Sequence, residues 1–371
     1  MNAAIPLNCS EAEDIVARAL EGRKPSFEEI SAILTLSSSS RELAEIIFAG
    51  AREARRLVFA DRVFLYGFVY LSTYCRNDCF FCHYRSSRGD LERYRKSTSE
   101  IVDVAGHLAE NGVQVIDLTL GEDLAYTKGA GFEKLLKAVD SVAKFFALPV
   151  MLSPGVLERT QIKEARSAGA SWFALYQETH TPELFAAWRR GQDFEERRRV
   201  REMALDEGFL VEDGVLTGAG ATPSDLARSV QEMTFPKAQQ VRAMAYVPAE
   251  GGLPPDASVD AAWQELLMIA CLRLSSPNAL IPASLDVEGI GGLKARLSAG
   301  ANVVTSIVPA RRGLAGVATM TLDIENSNRS PSRVREILEE ERLRSGASSE
   351  YAEYLDKARI GFAEIPASPL F

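Results

Sequence analysis

The sequence predicts an α/β protein whose main part is a (β/α)8 TIM barrel, with a helical extension at the N-terminus and a helical covering at the C-terminus. Eight short runs rich in β-branched or aromatic residues alternate with amphipathic stretches, which is the pattern of a parallel sheet surrounded by helices. Eight such units over about 245 residues match the usual size of this barrel. A chain of 371 residues that is 46% apolar is also long enough to bury one large core.

Local signals mark the predicted strands and the helix ends. The strands span 63–70, 115–120, 149–153, 172–176, 209–215, 241–248, 280–285 and 302–307. Ser97 and Glu100 form a capping box at the start of the first helix between strands, and Gly169, Gly208 and Gly300 stand where later helices end. An incomplete barrel remains the alternative, because strand ends predicted from sequence are imprecise.

Helical segments flank the predicted barrel on both sides. Three helices precede it, at 10–21, 26–36 and 41–59, and the second begins with a capping box from Ser26 to Glu29. An arginine- and serine-rich stretch at 311–333 is followed by a charged helix at 334–344. The predicted division of the chain is a helical cap or collar at 1–60, the barrel at 61–310 and an outer covering at 311–371.

Charge and N-terminal composition predict a small-molecule partner and a cytoplasmic location. The 42 Lys and Arg residues against 51 Asp and Glu residues give a net charge of −9, so no overall positive field attracts nucleic acid or an anionic membrane surface. Residues 1–13 form neither a secretory signal nor the start of a bilayer-spanning stretch. The sequence does not decide the oligomeric state, and a monomer is the working expectation.

Three of the five cysteines are crowded directly after the first predicted strand. Cys75, Cys79 and Cys82 occupy the loop that would open onto the C-terminal end of the barrel, where such barrels keep their chemistry. Three thiolates can hold three irons of a cubane cluster and leave the fourth iron for a small molecule. This spacing therefore predicts an iron–sulfur cluster with one reactive, open position.

Other interpretations of these cysteines are weaker. A structural zinc site needs four protein ligands, and His83 lies too close to Cys82 in sequence to complete one easily. An electron-transfer cluster normally has a fourth cysteine. Cys9 and Cys271 lie far from the three in sequence and are expected to be ordinary free thiols.

The cysteine spacing resembles that of the radical S-adenosylmethionine (SAM) superfamily. The pattern CX3CX2C, with the aromatic Phe81 before the last cysteine, follows a first barrel strand in that superfamily. The resemblance implies a [4Fe-4S] cluster whose open iron is chelated by SAM. It also implies that the reduced cluster cleaves SAM to a 5′-deoxyadenosyl radical, which abstracts a hydrogen atom from the substrate.

Two further segments resemble SAM-binding elements of the superfamily. Gly121-Glu122-Asp123 after the second strand is similar to its Gly-Gly-Glu element, although only one glycine is present. Glu178 after the fourth strand, with Arg197 nineteen residues later, resembles the layout of the biotin synthase and HydE branch, where such residues engage SAM. The alternatives are that Glu122 is a plain loop acid and that Arg197 belongs to an exposed charged helix face.

Six segments together resemble the methylornithine synthase family over roughly positions 40 to 325. They include Ile116-Asp-Leu-Thr-Leu-Gly-Glu-Asp123, Ile281-Pro-Ala-Ser-Leu-Asp286 and Gly300-Ala-Asn-Val-Val-Thr-Ser306. The resemblance implies isomerisation of L-lysine to 3-methylornithine, the first step of pyrrolysine biosynthesis, by hydrogen abstraction, Cα–Cβ fragmentation and recombination. It also implies an external reductant such as flavodoxin or ferredoxin.

Charged residues on predicted strands independently indicate a zwitterionic ligand. Asp117, Arg242, Ser284 and Asp286 stand at positions that strand alternation directs into the barrel, where apolar side chains are usual. The alternative is an internal salt bridge of Arg242 with Asp117 or with Asp286.

The family resemblance implies a role for each pocket residue. Asp117 would hold the lysine side-chain ammonium and Arg242 the α-carboxylate. Asp286 with Ser284 would hold the α-ammonium, and the same pocket would also be lined by Thr305 and Ser306. Competing functions are another HydE-like or biotin-synthase-like reaction, or a non-catalytic iron–sulfur protein.

Overall fold

Eight parallel strands form the core of the computed structural model, which describes residues 7–91, 93–234, 236–248, 251–254, 256, 259–309 and 329–361. The strands are β1 (Arg62–Ser72), β2 (Val115–Leu120), β3 (Val150–Ser153), β4 (Ala170–Ala174), β5 (Leu210–Thr217), β6 (Gln240–Ala245), β7 (Pro282–Ser284) and β8 (Val303–Ile307). All eight predicted strands are confirmed, with ends that shift by up to three residues.

The sheet curves into a barrel that closes between β6 and β7. The hydrogen-bonded order is β6-β5-β4-β3-β2-β1-β8-β7. The Val241 amide donates to the Leu280 carbonyl oxygen at 3.0 Å, and the Leu280 amide donates to the Gln239 carbonyl oxygen at 2.9 Å. The two outer strands therefore meet only at their N-terminal ends, and the (β/α)8 prediction is confirmed as a nearly closed barrel of eight strands.

Helices surround the barrel, and the predicted capping serines and glycines stand at the ends of five of them. They are α4 (Thr98–Glu110), α5 (Leu124–Thr127), α6 (Gly129–Phe146), α7 (Arg159–Ser167), α8 (Pro182–Trp188), α9 (Phe194–Asp206), α10 (Pro223–Met233), α11 (Ala261–Ser275) and α12 (Leu293–Ser298), preceded by α1 (Cys9–Leu20), α2 (Phe27–Leu34) and α3 (Arg41–Phe59). Capping boxes form at Ser26 and Ser97. Gly169, Gly208 and Gly300 have φ values of 106°, 79° and 109°, which side chains disfavour.

The N-terminal helices pack on the outside of the barrel. Helices α1–α3 contact α10, α11 and α12. Arg55 of α3 is buried and donates to the carbonyl oxygens of Leu297, at 2.7 Å, and Ala301, at 3.1 Å. These helices lie along one flank in the manner of a collar, and their status as a separate domain stays a prediction.

The C-terminal segment contacts the N-terminal mouth of the barrel through α13 (Pro331–Glu340), the short strand Arg344–Ser345 and α14 (Ser348–Arg359). The Tyr351 hydroxyl lies 2.5 Å from the Tyr66 hydroxyl, and Tyr354 donates to the Gln239 carbonyl oxygen at 3.1 Å.

The boundaries of the helix predicted at 334–344 were wrong. It starts at Pro331, because the Ser330 side chain caps it, and it ends at Glu340. Residues 310–328, which hold most of the predicted arginine- and serine-rich stretch, lie outside the described residues. Within the described ranges, no helix is long and apolar enough to cross a membrane.

Candidate active site

A cavity of about 240 Å³ opens among the C-terminal ends of the strands and brings the predicted site residues together. Its wall includes eight of them: Cys75, Cys79, Cys82, Glu122, Glu178, Arg197, Arg242 and Asp286. The other four predicted residues lie directly behind the wall. They each contact a side chain that lines the cavity, and they are Asp117, Ser284, Thr305 and Ser306.

The cysteine loop is tied to a distant part of the chain. Asp78–Cys79 pairs in antiparallel fashion with Arg189–Arg190, which joins the first βα loop to the segment between α8 and α9. The Cys82 amide donates to the Cys79 carbonyl oxygen at 3.0 Å and folds the last cysteine back. These backbone bonds hold the three cysteines on one side of the cavity.

The surroundings of the sulfur atoms fit an iron–sulfur cluster better than a single metal ion. N–H groups approach two of the sulfurs: the Gln192 Nε2 lies 3.0 Å from the Cys79 Sγ, and the Asn77 amide 3.4 Å from the Cys75 Sγ. Burial and the neighbouring thiols raise the pKa of Cys82 to about 12. Among the described residues, no three His, Cys, Asp or Glu side chains converge on one ion, and a cubane places each sulfur on a different iron.

Glu122 lies between two arginines beside the cysteine loop. Its carboxylate contacts Arg76 at 2.9 Å and Arg197 at 3.0 Å. Burial would raise the pKa of Glu122, but Arg197, Asn77 and Arg76 outweigh it and lower the pKa overall. A Cβ at Gly155 would lie only 1.9 Å from the Glu122 Cγ, so this glycine makes room for the carboxylate.

Glu178 has an unusual backbone conformation at the cavity wall. Its φ of 70° lies in the left-handed region, and its amide donates to the Gly214 carbonyl oxygen of β5 at 2.8 Å. The Oε1 atom contacts Arg189 at 3.0 Å, whereas the buried Oε2 atom has no hydrogen-bond partner. Burial raises the pKa of Glu178 despite the nearby Arg189 and Arg197.

Arg197 faces the interior rather than the solvent. It is 4% exposed, and its guanidinium donates to Glu122 and, at 2.9 Å, to the Tyr176 carbonyl oxygen. The alternative interpretation, that Arg197 belongs to an exposed charged helix face, is therefore wrong. The neighbouring Arg198 does lie on that face of α9, where it pairs with Glu195 and Glu202.

Asp117 is buried with half of its carboxylate unpaired. Ser153 donates to the Oδ1 atom at 3.0 Å, while the Oδ2 atom has no hydrogen-bond partner. Burial, together with the nearby Glu212 charge, raises the pKa of Asp117 to about 8, although Ser153 and Arg242 oppose the shift. Burial therefore keeps this acid mostly protonated at neutral pH.

Arg242 pairs with neither of the acids considered from the sequence. Its Nε atom contacts Glu212 at 2.8 Å, its Nη1 atom donates to Thr305 at 3.1 Å, and its buried Nη2 atom has no hydrogen-bond partner. Glu212 also accepts a bond from the Tyr176 hydroxyl at 3.1 Å. The alternative interpretation from the sequence, a salt bridge of Arg242 to Asp117 or to Asp286, is therefore wrong.

Asp286 accepts hydrogen bonds from four side chains. Ser306 donates to its Oδ2 atom at 2.6 Å, and Ser284 at 3.4 Å. Its Oδ1 atom accepts from Tyr70 at 3.2 Å and from Arg329 at 3.1 Å. This acid therefore has an internal cationic partner that the sequence did not indicate.

Thr305 and Ser306 both reach pocket residues although they are neighbours on one strand. Ser306 has a left-handed φ of 62°, and the register of β8 against β1 shifts between Leu65 and Gly67. A bulge of this kind turns two consecutive side chains toward the same side.

Two comparisons decide the family of this chain. A model of the radical SAM superfamily matches residues 69–233. The 3-methylornithine synthase of Methanosarcina acetivorans is 40% identical over 322 residues, which cover 87% of this chain and 91% of that protein. The chain belongs to the methylornithine synthase family. The protein is therefore a radical SAM enzyme. Members of this superfamily use a [4Fe-4S] cluster and SAM, and these are the cofactors of this protein.

Solved structures agree with this family membership. The crystal structure of methylornithine synthase (PylB) superposes with a TM-score of 0.85 at 36% identity, and the match covers 92% of this chain and 99% of that one. A structure of the hydrogenase maturase HydG, with a TM-score of 0.76 at 16% identity, shares the fold alone.

Four site residues of this family member were missed by sequence reasoning: Arg189, Gln192, Glu212 and Arg329. Two consecutive acids, Glu212 and Asp213, within a buried strand were a usable signal for Glu212. No local signal separates the buried Arg189 from the exposed Arg190 beside it.

Proposed function

We propose that the protein isomerises L-lysine to 3-methylornithine, as the names of its relatives suggest. The observation that carries the proposal is the charge of the deep end of the cavity. Three buried acids, Asp117, Glu212 and Asp286, face two buried arginines, Arg242 and Arg329. Once Asp117 is ionised, as it must be to hold an ammonium group, one negative charge is left uncompensated, and lysine, with two ammonium groups and one carboxylate, brings one net positive charge.

Unpaired atoms in the cavity support the same ligand. The Asp117 Oδ2 atom and the Arg242 Nη2 atom are buried without hydrogen-bond partners, which is costly unless a ligand satisfies them. We assign Asp117 to the side-chain ammonium and Arg242 to the α-carboxylate. The α-ammonium is assigned to Asp286 with Ser284, and the pocket is completed by Thr305 and Ser306.

The upper end of the cavity supports the cofactor assignments. Cys75, Cys79 and Cys82 would hold the cluster, and the unpaired Oε2 atom of Glu178 is suited to the methionyl ammonium of SAM. Arg197 and Glu122 form a buried pair beside it and are assigned to the polar end of SAM.

The residues of this chain anchor, orient and enclose the substrate. When bound, the cluster and SAM supply a 5′-deoxyadenosyl radical that abstracts a hydrogen atom from lysine. Cleavage of the Cα–Cβ bond then yields two fragments that must recombine at another carbon. Asp117 at one end and Arg242 with Asp286 at the other keep both fragments in place, and their burial excludes water from the reactive fragments.

Cell context and partners belong to the same proposal. An external flavodoxin or ferredoxin would deliver the electron to the cluster. A cytoplasmic location suits three free cysteines that must stay reduced to bind iron. We further propose that the protein acts as a monomer.

Product analysis of the anaerobically reconstituted protein tests the function. With reductant, SAM and L-lysine, we expect a lysine isomer identified by chiral chromatography and mass spectrometry. Asp117→Asn should abolish the isomer at unchanged iron content, and the surface variant Asp140→Asn on α6 should not. SAM cleavage without any isomer would refute the mutase, and conversion of a sulfur-containing substrate instead would favour a HydE-like reaction.

A further inference from the structure

A buried guanidinium connects the cysteine loop to Glu178. Arg189 is 6% exposed, and its Nη1 atom lies 3.6 Å from the Cys79 Sγ. Its Nη2 atom donates to the Glu178 Oε1 atom at 3.0 Å. One planar group therefore contacts a predicted cluster ligand at one nitrogen and a predicted SAM ligand at the other.

Gln192 makes a second contact with the same sulfur. Its Nε2 atom lies 3.0 Å from the Cys79 Sγ, and its Oε1 atom accepts from Arg189 at 3.1 Å and from Arg197 at 3.4 Å. Because two guanidinium groups face the oxygen, the amide can only direct its N–H toward the sulfur. The Cys79 sulfur thus has two N–H donors, and one of them carries a positive charge.

The backbone explains why Arg189, and not its neighbour, occupies this position. The short antiparallel ladder pairs Arg189 with Cys79 and Arg190 with Asp78. Side chains alternate between the faces of a ladder, so Arg189 faces the cavity while Arg190 is exposed and lies over the Phe80 ring.

We propose that Arg189, assisted by Gln192, is a positioning residue that sets the reduction potential of the cluster and couples it to SAM at Glu178. The inference rests on the proposed cluster ligation by Cys79. Reduction adds negative charge to the cluster, so a cation and N–H donors at a ligand sulfur stabilise the reduced form and raise its midpoint potential.

The coupling follows from the shared guanidinium. The Glu178 carboxylate compensates part of the Arg189 charge in the protein without SAM. An N–H group of SAM that donates to the free Oε2 atom draws the Glu178 charge away from Arg189 and leaves more of the Arg189 field to act on Cys79. By linkage, SAM then binds the reduced protein more tightly than the oxidised protein, to the extent that it raises the potential.

Redox titration followed by electron paramagnetic resonance tests the proposal without lysine and without turnover. Arg189→Gln should lower the midpoint potential and shrink the further shift caused by SAM. Gln192→Leu, which removes one N–H donor and no charge, should lower the potential less. The matched control Arg190→Gln, one residue away, should leave the potential and the SAM shift unchanged.

Each outcome decides the proposal. Fully loaded Arg189→Gln and Gln192→Leu proteins with wild-type potentials would overturn it. If Arg189→Gln fails to load a cluster, Arg189→Lys should keep the positive charge and a midpoint potential close to that of the wild type. The midpoint potential of Gln192→Leu then decides whether these residues set the potential or only pack the loop. A protein with these shifts that makes no lysine isomer would refute the proposed function alone, whereas failure of Cys79 to bind the cluster would overturn both.

Discussion

The raised pKa of Asp117 makes lysine binding depend on pH. The carboxyl is buried and holds a proton below about pH 8 as long as no lysine is bound. It must be ionised to hold the lysine side-chain ammonium, which itself stays charged up to about pH 10. Binding below pH 8 therefore requires that Asp117 releases its proton, and the affinity should rise as the pH approaches 8.

The expected size follows from the pKa of about 8. At pH 6 about 1% of Asp117 is ionised and at pH 8 about half, so the affinity should increase about 50-fold between these values, or by about 2.3 kcal/mol. Above the pKa the affinity should level off. At pH 7 each bound lysine should release close to one proton, because about nine tenths of Asp117 is protonated there.

Isothermal titration calorimetry on the SAM-loaded, unreduced protein measures both quantities. Titrations with L-lysine in two buffers of different ionisation enthalpy give the number of protons released, and a series from pH 6 to 8.5 gives the affinity. Asp117→Asn should bind weakly and lose the pH dependence. An affinity that stays constant over this range, or binding without proton release at pH 7, would refute the assignment.

Two further variants test the space beside Glu122 and the contribution of the buried Asp213 charge to stability. Gly155→Ala places a methyl group against Glu122 at a φ of 81° and should weaken SAM binding, whereas Gly220→Ala, at φ 93° in open space, should lower stability alone; equal SAM affinities, measured by equilibrium dialysis, would contradict this. Arg201 and His180 outweigh burial and lower the Asp213 pKa to about 2, below the unfolded value of about 3.9. Asp213→Asn should therefore cost about 2–3 kcal/mol of unfolding free energy at pH 7. Urea denaturation should show this difference shrinking as the pH falls from 4 through 2, and a constant difference would argue against an ionised Asp213.

Strand alternation located the pocket acids but not their partners. The sequence placed Asp117, Arg242 and Asp286 inside the barrel, and all three are buried there. The choice of Glu212 as the Arg242 partner depends on the register of β5 against β6, which sets Gly214 beside Arg242 and brings Glu212 within reach. Register is a property of two strands together, so neither strand predicts it alone.

Periodicity and the cysteine spacing were enough to predict the barrel and the cluster loop, because both depend on residues close together in the chain. Only the tertiary structure decided which distant residues contact each other in the site. Arg329 reaches Asp286 from 43 positions away, and Arg189 reaches Cys79 from 110 positions away only because a two-residue ladder joins their segments. The local sequence therefore predicted the chemistry of the site, whereas the charge pairs depend on how the barrel and its loops fold together.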